Sequence, residues 1–182
     1  MPHSRVFLLL VFLSVACHGP ALAQKRLGAS AIRQFFRDTA LITVTRFQAR
    51  EFDLQISAQR DSLRATIKRE RDLWRAQAPR NYRFLINVAC FCPGPRGWQL
   101  MEVRSGQPLK AWDGAGKAAS LTDWNTVSID QMFDNLEKSA GRDGMMRVGF
   151  DPTWHYPTYA YTSAARVPDS WGVFEARALR PI

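Results

Sequence analysis

Apolar and polar positions along this chain follow three rhythms, and each predicts a different kind of element. The first is an unbroken apolar run, Val6 to Ala16, preceded by Arg5 and broken at Gly19-Pro20. At about half the ~20 residues needed to cross a bilayer, it makes a permanent, uncleaved membrane anchor the weaker reading. Ala21-Leu22-Ala23 follows with the small-x-small pattern that a signal peptidase needs. Residues 1–23 therefore predict a signal peptide cleaved after Ala23, with the mature chain starting at Gln24. A second reading stays open, because Cys17 follows Ser14-Val15-Ala16, a pattern close to the box before a lipid-modified cysteine.

The second rhythm is helical. Ile32, Phe35, Phe36 and Ala40 share helical spacing, whereas Leu41 to Phe47 is rich in β-branched residues, so residues 24–56 read as an N-terminal extension made of a helix and an undecided element. From Ser57 to Ala78, Leu63, Ile67 and Trp74 fall on one helical face. Arg60, Arg64, Lys68, Arg71 and Arg75 form a basic stripe beside them, diluted by Asp61, Glu70 and Asp72, and Pro79 ends the helix. The firmest helix starts at Ser128. Ser128 with Gln131 makes a capping box, Val127 with Met132 a hydrophobic staple, and Ile129, Met132, Phe133, Leu136 and Ala140 one apolar stripe that Gly141 stops.

The third rhythm is alternation. Tyr82, Phe84, Ile86, Val88, Cys90 and Cys92 fall on one side of a strand, with Arg83 and Asn87 on the other, before Pro93-Gly94-Pro95 turns the chain. Trp98 to Val103 and Leu109 to Trp112 predict a hairpin through Ser105-Gly106, and Asp113 to Asn125 a loop. Met146 to Phe150, Thr158 to Thr162 and Val173 to Leu179 complete about six strands. Residues 57–182 thus predict a single α+β domain. Its largely antiparallel sheet carries the Ser128 helix on its apolar face, with a further helix N-terminal to the sheet.

Charge and cysteine count then narrow the function. Cleavage removes Arg5 and no acid, so the mature chain carries 24 basic and 16 acidic residues, a net +8. That balance suits an anionic surface such as lipid headgroups, and the basic stripe from Arg60 to Arg75 is the candidate contact. Export takes the chain away from the chromosome, which disfavours nucleic acid. Only Cys90 and Cys92 remain after cleavage. In an oxidising compartment they favour a local structural disulfide, although i and i+2 on a flat strand lie about 6.6 Å apart at Cα, close to the upper limit for a bridge. Buried thiols, or a redox or metal role, are the alternatives.

No catalytic set assembles from the pattern. His155 is the only histidine of the mature chain and lies near Asp151, but no nucleophile elbow accompanies it. Cys90, Cys92 and His155 make at most three ligands where zinc takes about four. His155 therefore reads as a surface turn residue, and no cofactor is called for. Five of the six tryptophans, Trp98, Trp112, Trp124, Trp154 and Trp171, lie beyond residue 97 with Tyr156, Tyr159 and Tyr161. They read as the core and rim of the sheet-bearing half.

Three stretches form an ordered set. Tyr82-Arg83-Phe84 runs into Cys90-Phe91-Cys92-Pro93, the helix starts at Ser128-Ile129-Asp130-Gln131-Met132-Phe133, and Phe150-Asp151-Pro152 precedes Tyr156-Pro157. Over residues 70–180 this set resembles the bacterial extracytoplasmic proteins of domain-of-unknown-function family 6174, many of them lipoproteins by prediction. Such proteins tend to have Gly before the Tyr-Pro pair, where this chain has His155. The resemblance implies a fold and a compartment and carries no activity. The expectation is an exported, non-catalytic domain that binds or packs against an envelope component. The alternative is a thiol-based redox or metal-handling protein using Cys90 and Cys92.

Overall fold

A computed structural model describes residues 27–39, 48–90, 97–121, 127–165 and 170–182. The leader with Cys17, the segment 40–47, Cys92 and Trp124 lie outside the described residues. Among the described residues, eight strands form one sheet: β1 (Arg50–Asp53), β2 (Asn81–Cys90), β3 (Gln99–Arg104), β4 (Gln107–Trp112), β5 (Ala118–Ala119), β6 (Gly144–Phe150), β7 (Pro157–Ala164) and β8 (Trp171–Pro181). Their order is β1-β6-β7-β8-β2-β3-β4-β5, and every pairing is antiparallel. The helices are α1 (Ala29–Thr39), α2 (Ser57–Gln77) and α3 (Ile129–Ser139).

The α+β class and the antiparallel sheet match the sequence, but the strand count rises from about six to eight. Both additions are short. β1 supplies four residues, of which Phe52 alone is buried, and β5 is an alanine pair inside the glycine-bearing stretch read as a loop. Neither is long enough to show a period of two. The Ser105-Gly106 hairpin forms as read, with φ +49° and +76° at the two turn residues, the left-handed pair of a tight turn.

Two apolar clusters hold the layers together. On one face of the sheet, Tyr82, Phe84 and Ile86 of β2 pack under Leu63, Ile67 and Trp74 of α2 and under the α3 stripe. Trp74 meets Tyr82 and Tyr156 edge-on, at ring-centroid distances of 5.7 and 6.4 Å. On the opposite face, Leu85, Leu100 and Trp112 are covered by Ile32 and Phe35 of α1. Arg83 and Asn87 lie on this second face, as the alternation predicts, and Leu85 between them is fully buried beneath α1.

The predicted capping box is present, with the Gln131 amide N–H donating to Ser128 Oγ and the Ser128 N–H to Gln131 Oε1. One further donor of this helix end is satisfied from outside: the Ile129 N–H donates to the Tyr82 hydroxyl at 3.0 Å. At the other end, Ala140 stays right-handed and the Gly141 N–H donates to the Lys138 carbonyl, so Gly141 follows the helix without a left-handed cap.

Candidate functional site

Between α3 and the sheet lies an open cleft of about 210 Å³. Val88, Leu136 and Phe174 form its apolar walls, and Asn135, Ser139 and Thr162 bring polar atoms to it. It exists because small residues, Ala160 on β7 and Gly172 on β8, pair across the sheet from larger ones where α3 crosses. A Cβ on Gly172 would make only an ordinary 3.6 Å contact with Thr162 Oγ1. Among the described residues that line it, no side chain is charged. The volume is below the roughly 300–1,000 Å³ that encloses a drug-sized ligand, and suits a single anchoring side chain. Cys90, the last residue of β2, also lines the cleft.

The basic stripe is divided by the fold. Arg71 pairs with Asp134 and Glu137 of α3. Arg60 pairs with Asp143 and donates to the Leu54 carbonyl, and Lys68 pairs with Asp72 one turn on. Arg64 and Arg75 are solvent-exposed. Three of the five cations thus meet a carboxylate of the chain itself, which lowers the field the stripe presents to an anionic surface.

His155 is tied to a distant acid. Its Nδ1 lies 2.9 Å from Glu70 Oε2, and the Glu70 side chain is 10% exposed. Arg69 takes Glu70 Oε1. Asp151, the sequence neighbour, instead accepts the Thr153 and Trp154 N–H groups and shapes the turn. This corrects the surface-turn reading of His155: the ring is half-buried and its backbone is left-handed, φ +61°. Glycine adopts that conformation without penalty, whereas a residue with a Cβ does not. Glu70 escaped the sequence reading because it sits among charged residues and its partner is 85 residues away.

On the face of the sheet that α1 covers, Glu102 is clasped by Arg83 across the strand pair and by Arg104 on its own strand. Burial pushes the Glu102 carboxyl up, but hydrogen bonds from Arg83 and Arg104 outweigh it and hold the group below the usual carboxylate range. Burial drives the Tyr82 and Tyr156 hydroxyls well above the ordinary phenol value. They are hydrogen-bonding groups of the core and do not titrate near neutrality. Of the aromatic residues grouped in the sequence, Tyr156 and Tyr159 are buried, Trp112 joins the second cluster, and Trp171 is exposed.

Among the described residues no group of three or more His, Cys, Asp or Glu side chains is placed to hold a metal ion. No helix among them is long and apolar enough to cross a membrane. Residues 66–165 match the model of a family of unknown function, DUF6174. The chain belongs to this family. The match runs from the middle of α2 through β7, and so takes in the later turns of α2, the cleft-lining residues of α3 and the Glu70–His155 pair. No curated protein and no solved structure matches the chain.

Proposed function

We propose that this DUF6174 protein is an exported, non-catalytic domain that binds another envelope component through the cleft between α3 and the sheet. The observation that carries the reading is the cleft itself: apolar walls and neutral polar atoms among its described lining residues, in a size that takes one large side chain. The leader pattern of residues 1–23 supports export. The test is site-specific crosslinking in intact cells from Asn135, which is exposed beside the cleft. A crosslinked envelope protein is expected, and Gly172→Leu, which fills the cleft, is expected to abolish it while leaving the melting temperature unchanged. No crosslink, or one indifferent to Gly172→Leu, contradicts the proposal.

A second reading has a specific observation behind it: Cys90 lines the same cleft, where a bridge opened by a reducing partner would meet whatever enters. In the leading reading Cys90 and Cys92 form a local structural bridge; in the second they are thiols used in exchange or metal handling. Cys90→Ser combined with Cys92→Ser separates the two. Lost stability favours the bridge, and full stability with lost thiol reactivity favours the redox role.

A further inference from the structure

The edge of the sheet remote from β1 carries a second, larger groove. β5 pairs only with Ala111 and Trp112 of β4, and both of its residues are alanine, so little side chain fills the space beside β4. Leu27, which leads into α1, joins Leu109, Trp112 and Leu121 in lining an open groove of about 490 Å³. That volume lies within the roughly 300–1,000 Å³ of small-molecule sites. Leu109 and Leu121 are 41% and 44% exposed, so two large aliphatic side chains of one groove meet solvent. Among the described lining residues Lys110 alone is charged. The groove shares no described lining residue with the cleft under α3.

Lys110 belongs to a basic row. Successive Cα partners across β8, β2, β3 and β4 are Arg180, Arg83, Glu102 and Lys110, on the face of the sheet that α1 covers. Arg83 and Arg180 stand directly opposite each other, a placement that costs stability between like charges. Glu102 is the acid of the row, and both of its oxygens are taken, Oε2 by Arg83 and Oε1 by Arg104. Arg180 rests over the Phe35 ring of α1, 4.8 Å from its centroid. Lys110 is exposed and forms no ion pair among the described residues. Positive charge in excess of its counter-charge therefore stands beside apolar walls.

We propose that this groove binds a long-chain fatty acid, its acyl chain against Leu27, Leu109, Trp112 and Leu121 and its carboxylate on Lys110. Such a molecule satisfies both features at once: the chain covers exposed leucine, and the head gives the ammonium a charge-assisted partner. The other occupants of an apolar groove fit less well. A second copy of this net-basic chain brings like charge to the basic row. A strand added to β4 meets Pro108 and Lys110, residue types that blunt a sheet edge. A neutral apolar segment leaves Lys110 without counter-charge. The proposal is independent of whether the cleft under α3 takes a partner.

The test is calorimetric titration of the chain from Gln24 onward with oleate, below the concentration at which oleate aggregates. Saturable binding at a single site is expected. Lys110→Gln is expected to weaken it about tenfold, and Lys110→Arg to leave it nearly unchanged. Leu109→Asp, which sets a negative charge in the apolar wall, is expected to abolish it. Both positions are exposed, so the fold is expected to survive each change. On the unaltered chain, laurate is expected to bind and dodecyltrimethylammonium, with an equally long chain and a cationic head, is not. Failure of oleate to saturate, equal binding of laurate and dodecyltrimethylammonium, or an affinity unchanged in Lys110→Gln or in Leu109→Asp overturns the proposal. So does binding of lysophosphatidylglycerol without oleate, which assigns the groove to a phospholipid. A dimer that Leu109→Asp dissociates, with no oleate bound, assigns it to a second copy and overturns the proposal as well.

Discussion

Gly144 opens β6 with φ +140°, and a Cβ there would lie 1.9 Å from the Ser163 carbonyl oxygen on β7. Both the backbone and the neighbouring strand therefore require glycine at this position. Gly144→Ala is expected to cost about 3 kcal/mol, read as a lower urea midpoint with an unchanged slope. Nothing in the sequence marks that need, since Arg142-Asp143-Gly144 reads as an ordinary turn and the clash comes from a residue 19 positions on. The start of α3 is the opposite case. Ser128 and Gln131 lie three apart, so the capping box is visible in the string, whereas the Tyr82 hydroxyl that accepts the Ile129 N–H comes from another element. Ser128→Ala is expected to cost about 1 kcal/mol. Tyr82→Phe is expected to cost about 1–2 kcal/mol, because it leaves a buried N–H without its acceptor. Denaturant titrations of both variants check this pair, and a neutral Tyr82→Phe would contradict the role given to that hydroxyl.

At the scale of elements, local period was legible and cross-element pairing was not. The faces of α2, α3 and β2 follow from spacing alone, because Leu63, Ile67, Trp74, Tyr82, Phe84 and Ile86 all reach the core the pattern assigns them. β1 and β5 are too short to carry a period, and α1 covers Leu85 and Leu100 through contacts that no local pattern encodes. The Arg83–Glu102–Arg104 group belongs to this scale because it links β2 to β3. Its carboxyl is depressed in the folded chain, so its stabilisation is present above the ordinary unfolded value and is lost as pH falls through the folded one. Glu102→Gln is expected to lower stability at neutral pH and to flatten the loss of stability below about pH 4.5. Melting temperatures between about pH 3 and 7 measure this. Parallel curves for parent and variant would mean that the group contributes no acid sensitivity.

For the whole molecule, the class, the antiparallel sheet and the family were readable from the ordered stretches between Tyr82 and Pro157, because each is a local signature. Strand order was not readable, since it depends on β8 returning to pair with β2 and on β1 joining β6. The candidate cleft was equally hidden. It forms where Gly172 and Ala160 meet beneath α3, residues from three elements whose proximity only the folded sheet creates. Every functional statement made for this chain assumes that it works outside the cytosol, so the most direct measurement is the intact mass of the protein recovered from fractionated cells. The account predicts a chain beginning at Gln24 in the exported fraction. The full-length chain beginning at Met1 in the cytosol would contradict it.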